Sequence, residues 1–265
     1  MMSSSTPSNN TGREVLLWDE GHVYRLGIDK NESLTPIASL EELPPVSQIL
    51  QLDTYDILVL SAQSSTISYF YLHSQTAEVL LCDYEGCCSE SDSVRCHQQS
   101  NSSEISEISL NSRDHGSVYF SDNAAIKKFR INNSLIQPEV VVDLLNHVNH
   151  PGKIRKFTFN EDYSSIFLLW EPLDNAGYVL YRYNVHDKMI SGDITVQEEL
   201  AEISTLNENI ILGLDKKRYK LVALEFESKS ISSRVCLVNA TAELPGLSDE
   251  DGNSSECNTV PHSIT

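Results

Sequence analysis

No stretch of this 265-residue chain approaches the roughly 18 consecutive apolar residues of a bilayer-spanning helix, so no direct membrane insertion is expected. Positive charge is scarce. Only 19 lysines and arginines stand against 38 aspartates and glutamates, a formal net charge of −19. Such a balance excludes binding by phosphate neutralisation, and with it nucleic acid and anionic membrane surfaces as expected partners. Also missing are a Gly-rich phosphate loop, a Gly-x-Ser-x-Gly elbow and a His-Glu-x-x-His pair. Neither an enzyme activity nor a cofactor is therefore expected. The first dozen residues, Met1 to Gly12, are mainly Ser, Thr, Asn and Pro, with no apolar core of an export signal. They read as a disordered polar terminus.

What is present is a substantial hydrophobic content, 40%, in a chain long enough to bury a core. It is arranged as a repeat. Short apolar strands start at Val15, Ile57, Val118, Ile166 and Ile210, roughly 42 to 61 residues apart, each followed by a turn and an alternating strand. Self-similarity on that scale, built from strands, predicts an all-β fold, a β-propeller with five recognisable blades. The units fall at 13–46, 47–103, 104–151, 152–199 and 200–242, with a polar tail at 243–265.

The third unit is the clearest. Ile105–Asn111, Ser117–Asp122, Ala125–Ile131 and Pro138–Leu145 read as four strands separated by turn residues. Continuous apolar runs such as Ile166–Leu169 suit the innermost strand of a blade, covered on both faces, while outer strands alternate. Ser233–Val238 reads as the last strand of the fifth unit. Gln197–Ile203 fits either a helical turn or the blade pattern. The wide spacing after the second unit marks an insertion, 82–103, holding four of the six cysteines.

In the third unit, Tyr119-Phe120-Ser121-Asp122, followed four residues after the aspartate by Ile126-Lys127-Lys128-Phe129, resembles the Tyr-Trp-Thr-Asp blades of low-density-lipoprotein-receptor-type propellers. Asp19 before Val23-Tyr24-Arg25-Leu26 and Asp215 before Tyr219-Lys220-Leu221-Val222 echo the spacing. The pattern is similar also to the propellers of Sevenless- or Ros-type receptor tyrosine kinase ectodomains. The resemblance implies a structural role for Asp122, Asp19 and Asp215, fixing the turn and the packing between blades. It departs from the family at Trp18, which stands at the Thr position, and in the units at Ile57 and Ile166, which lack the aspartate. Propellers of this family usually have six blades, so the resemblance also implies a piece of a longer polypeptide, the sixth blade coming from outside the chain.

Cys82, Cys87, Cys88 and Cys96 lie within fifteen residues, and Cys236 and Cys257 follow far downstream. The cluster reads as local disulfides, with Cys236 and Cys257 pinning the tail; reduced, buried thiols at Cys82 and Cys236 stay open as a second reading. Zinc is disfavoured because no Cys-x-x-Cys knuckle occurs. Six N-glycosylation sequons, at Asn9, Asn31, Asn101, Asn132, Asn239 and Asn253, are about twice the number expected by chance. His147 and His150 read as loop histidines. Asp249-Glu250-Asp251 and Glu41-Glu42 read as solvated turns. Of the consecutive Tyr69, Phe70 and Tyr71, at least one faces opposite to its neighbours. Together these features predict an extracellular, non-catalytic recognition or spacer module of a receptor-like protein. Its expected partners are a protein ligand, bound through inter-blade loops, or neighbouring domains of the same polypeptide. An intracellular propeller scaffold, or the propeller of a hydrolase whose catalytic domain lies elsewhere, is the alternative.

Overall fold

The computed structural model describes residues 2–3, 14–19, 21–27, 35–52, 56–82, 96–99, 104–110, 116–132, 136–174, 177–217 and 220–226. Among the described residues are twenty strands and two short 3-10 turns. None of the described residues forms a helix long and apolar enough to cross a membrane.

Strands follow one another as antiparallel meanders. The first sheet is β1 (Met2–Ser3), β2 (Glu14–Trp18), β3 (His22–Gly27) and β4 (Thr35–Ser39). The second is β5 (Gln48–Gln51), β6 (Asp56–Ser61), β7 (Thr66–Tyr71), β8 (Thr76–Cys82) and β9 (His97–Gln98). The third is β10 (Ile108–Leu110), β11 (Ser117–Asp122), β12 (Ala125–Arg130) and β13 (Glu139–Asp143). The fourth comprises β14 (Gly152–Phe159), β15 (Ser165–Pro172), β16 (Tyr178–Asn184) and β17 (Met189–Val196). The fifth has three described strands, β18 (Leu200–Thr205), β19 (Ile210–Asp215) and β20 (Lys220–Glu225). The chain divides into two compact units, 1–155 and 156–265, and the division falls within β14.

In the first unit, strand β6 explains why the sheets stack. Ile57, Leu58, Val59 and Leu60 are each at most 1% exposed, although successive side chains of a strand point to opposite faces. Ile57 and Val59 enter one core cluster with Leu16, Val23 and Ala38 of the first sheet. Leu58 and Leu60 enter another with Ile108, Val118 and Phe120 of the third. Each such side chain contributes about 1.5–3 kcal/mol when fully buried, which is available only if both faces are covered. Within the second unit, Phe167 and Leu169 of β15 share a cluster with Leu200, Ile211 and Leu224 of the fifth sheet. Arg182 reinforces that cluster's rim, its guanidinium 5.3 Å from the Phe226 ring centroid and 2.8 Å from Asn209 Oδ1.

These apolar runs correct one expectation. They occupy the second place in their sheets, hydrogen-bonded on both sides, rather than the first, because β5, β10 and β14 precede them. Of the two readings of Gln197–Ile203 the blade pattern holds, with β18 beginning at Leu200. A further reading changes. Met2 and Ser3, within the stretch read as disordered, pair with Leu17 and Leu16. Ser233–Val238 lies outside the described residues.

A first strand leaves one edge of backbone groups without a strand partner. At β10 a side chain takes that place: Gln48 Nε2 donates to Ile108 O at 2.9 Å, and Ile108 N donates to Gln48 Oε1 at 2.9 Å. Gln75 links the first and second sheets in a similar way, accepting from Ser39 N and donating to Ile37 O, both at 3.1 Å. Replacing Gln48 by leucine strands a buried N–H and C=O, so Gln48→Leu is expected to lower unfolding free energy by about 2 kcal/mol in urea titration. Gln63→Leu, at an exposed turn position, is expected to change it by less than about 0.5 kcal/mol.

Candidate protein-recognition surface

The quartet Tyr119-Phe120-Ser121-Asp122 forms most of β11, and every member is buried. Ser121 Oγ accepts from Ser106 N at 3.1 Å and Glu107 N at 3.0 Å, and lies 2.8 Å from Ser106 Oγ, which donates to Ile154 O at 2.7 Å. One hydroxyl thereby ties β11 to the segment before β10 and, through Ser106, to the start of β14. Asp122 forms an ion pair with Lys127 across the β11–β12 hairpin. Its turn is made by Asn123, whose φ of 51° lies in the left-handed region that asparagine tolerates.

The other two aspartates hold turns through backbone amides. Asp19 Oδ1 accepts from Gly21 N at 2.9 Å and His22 N at 2.7 Å, while Oδ2 accepts from Tyr24 Oη at 2.8 Å. These bonds, led by that from Gly21, hold its carboxyl below the usual carboxylate range and raise the Tyr24 phenol. Asp215, buried, accepts from Lys217 N at 2.9 Å. All three aspartates are engaged within hairpins.

The second sheet carries an addition that strand patterning does not signal. After the insertion, His97 and Gln98 return as β9 and pair parallel with Leu81 and Cys82 of β8. Gln99 N then donates to Cys82 O at 2.7 Å. Cys82 Sγ lies 3.9 Å from Cys96 Sγ, about twice the length of an S–S bond, so the two are in contact but not joined to each other. Neither is a free thiol. Cys87, Cys88, Cys236 and Cys257 lie outside the described residues. So do Asn9, Asn31, Asn101, Asn239 and Asn253; Asn132 is described and exposed, in the turn after β12. His147 and His150 are exposed.

Tyr69, Phe70 and Tyr71 separate as strand geometry demands. Phe70 is buried in the cluster shared with the first sheet. Tyr69 and Tyr71 share the opposite face, half-buried, with ring centroids 4.6 Å apart and planes inclined at 48°. Asp56 lies across from Tyr71, and Glu78 across from Tyr69. The hydroxyls reach along the diagonals: Tyr69 Oη donates to Asp56 Oδ2 at 2.6 Å, and Tyr71 Oη to Glu78 Oε2 at 3.2 Å. The tyrosines were legible as a pair on one face; their carboxylates become legible only when three strands are set in register.

No known family pattern matches the sequence, and no curated protein matches it. Solved structures do. A chain of a nidogen/laminin complex superposes with a TM-score of 0.55 at 12% identity, covering 82% of this chain and 72% of that one. A chain of a mitotic checkpoint complex gives 0.53 at 12% identity, covering 81% and 73%. A chain of Kuenenia stuttgartiensis hydrazine synthase gives 0.50 at 8% identity, covering 80% and 62%. At these identities the likeness establishes the fold alone: an all-β propeller, with five blades among the described residues, one for each sheet.

His97 supplies a pH test of the added strand. Burial, and secondarily the nearby Lys127 charge, push its imidazole below the ordinary value of 6.5. The unfolded chain therefore binds this proton more readily than the native one. Stability attributable to His97 is complete above pH 6.5 and declines as pH falls from there towards the lowered native value. Urea midpoints compared at about pH 7.5 and about pH 5.5 are expected to show a smaller acid-side decline in His97→Gln than in the parent.

Proposed function

We propose that this chain is an extracellular recognition module, a non-catalytic propeller domain of a larger receptor-like protein that binds protein partners. The observation that carries the reading is the state of Cys82 and Cys96. Neither is a free thiol, and both lie where the insertion re-enters the second sheet through β9. Disulfides persist in oxidising compartments and are rare in the cytosol, so oxidised cysteines at this junction favour secretion. The exposed sequon at Asn132 supports the same location.

Protein binding is favoured by the surface. A net charge of −19 suits a basic partner face and speeds encounter with it. Two of the similar solved propellers belong to protein complexes, nidogen/laminin and the mitotic checkpoint assembly. The turns and insertions between strands are where such folds carry variable contacts.

Expression with an added secretion signal in animal cells, followed by intact mass spectrometry, tests this reading. The expected product loses mass on glycosidase treatment, and Asn132→Gln removes one glycan. Reduction under denaturing conditions is expected to add one hydrogen for each cysteine sulfur released. A folded product carrying neither modification would favour the intracellular scaffold.

A further inference from the structure

We propose that β9 is a redox-sensitive strap: the oxidised Cys82 and Cys96 hold it against β8, and a thiol reductant that opens the Cys96 bond releases it. The inference goes beyond the recognition reading above and rests on the same oxidised cysteines.

Apart from its covalent links, the strap is weakly held. β9 is His97 and Gln98 alone, whereas strands ordinarily run about three to ten residues. It pairs in parallel, the slightly less stable of the two ladders, and its partners are Leu81 and Cys82. Neither of its residues brings an apolar side chain to the core: His97 is half-buried and Gln98 exposed. The ladder continues through a single further bond, from Gln99 N to Cys82 O at 2.7 Å.

The covalent links meet at this junction. Cys82 is the last residue of β8, and Cys96 immediately precedes β9. Both are disulfide-bonded, though not to each other, and their sulfurs lie in contact at 3.9 Å. A disulfide removes conformations open to the undocked chain, and so supplies the stability that two residues of ladder lack. Of the two cysteines Cys82 is fully buried and Cys96 half-buried, so Cys96 is the more accessible to a reductant.

The chemistry is thiol–disulfide exchange. A thiolate attacks the Cys96 disulfide, breaks its S–S bond and forms a mixed disulfide, while the departing sulfur leaves as a thiolate and takes a proton. A second thiolate resolves the mixed disulfide, so two thiols of the reductant become one disulfide and the protein gains two thiols. With Cys96 released, β9 is held by its ladder alone. Its departure returns β8 to the edge of the second sheet, and the surface beside the insertion changes with redox state.

Amide hydrogen exchange of the full chain, expressed with a secretion signal, tests the strap. The chain is compared oxidised and after dithiothreitol, with the number of thiols read by mass. The Gln99 N–H is expected to exchange about tenfold faster after reduction, and as fast in Cys96→Ala without reductant, because local opening of the strap becomes easier. The Ser47 N–H, which donates to Leu60 O at 2.8 Å in the same sheet, is expected to keep its rate. Equal Gln99 rates in the oxidised, reduced and Cys96→Ala chains would overturn the strap. So would a Ser47 rate that rises in step with that of Gln99, since the bonds would then support the whole sheet. A chain that carries glycans and oxidised cysteines but shows an unmoved Gln99 rate loses the strap and keeps the extracellular reading, so the two fall separately.

Discussion

Strand β6 sets the terms for the first compact unit. A strand buried on one face can lie at a protein surface; one whose Ile57, Leu58, Val59 and Leu60 are all buried cannot. Its sheet needs a neighbour on each side, and the two core clusters divide its residues in strict alternation between the first and third sheets. Successive meanders of this kind have one economical arrangement, face against face in chain order, which is the blade-on-blade packing of a propeller. The polar links between sheets follow from it. Once the faces are closed, the edge of β10 lies beside β5, and Gln48 completes the ladder there with an amide that mimics a peptide group.

The same alternation decides what reaches the surface. Phe70 is committed to the core, so Tyr69 and Tyr71 must share the other face, where the sheet register delivers Asp56 and Glu78 to their hydroxyls. By contrast, the motif Tyr119-Phe120-Ser121-Asp122 is wholly internal. Its serine is a hydrogen-bonding hub and its aspartate pairs with Lys127. The most recognisable signature in the sequence thus serves packing.

Much of the fold was legible because turn chemistry and apolar runs coincide. Ser117–Asp122 matches β11 to the residue, and Ala125–Ile131 runs one residue past β12. Met189–Val196 escaped notice because it is an outer strand, exposed at every second residue, whose Ser-Gly-Asp centre has low strand propensity. The two residues of β9 could not have been found. Their state comes from parallel pairing with β8 across a long insertion, a long-range choice with no local periodicity. Gln48 and Gln75 were invisible for a related reason, since their importance lies in partners 60 and 36 to 38 positions away.

Double-sided burial of β6 is the claim on which the packing, the linking glutamines and the placement of the tyrosines all depend. The most direct measurement is the unfolding free energy of Leu58→Ala and Val59→Ala, adjacent residues that point to opposite faces. A large loss is expected for both, about 2–5 kcal/mol for the leucine and somewhat less for the smaller valine. A large loss at one position and a change below about 0.5 kcal/mol at the other would mean that one face of the sheet is bare, and the blade stacking described here would be contradicted.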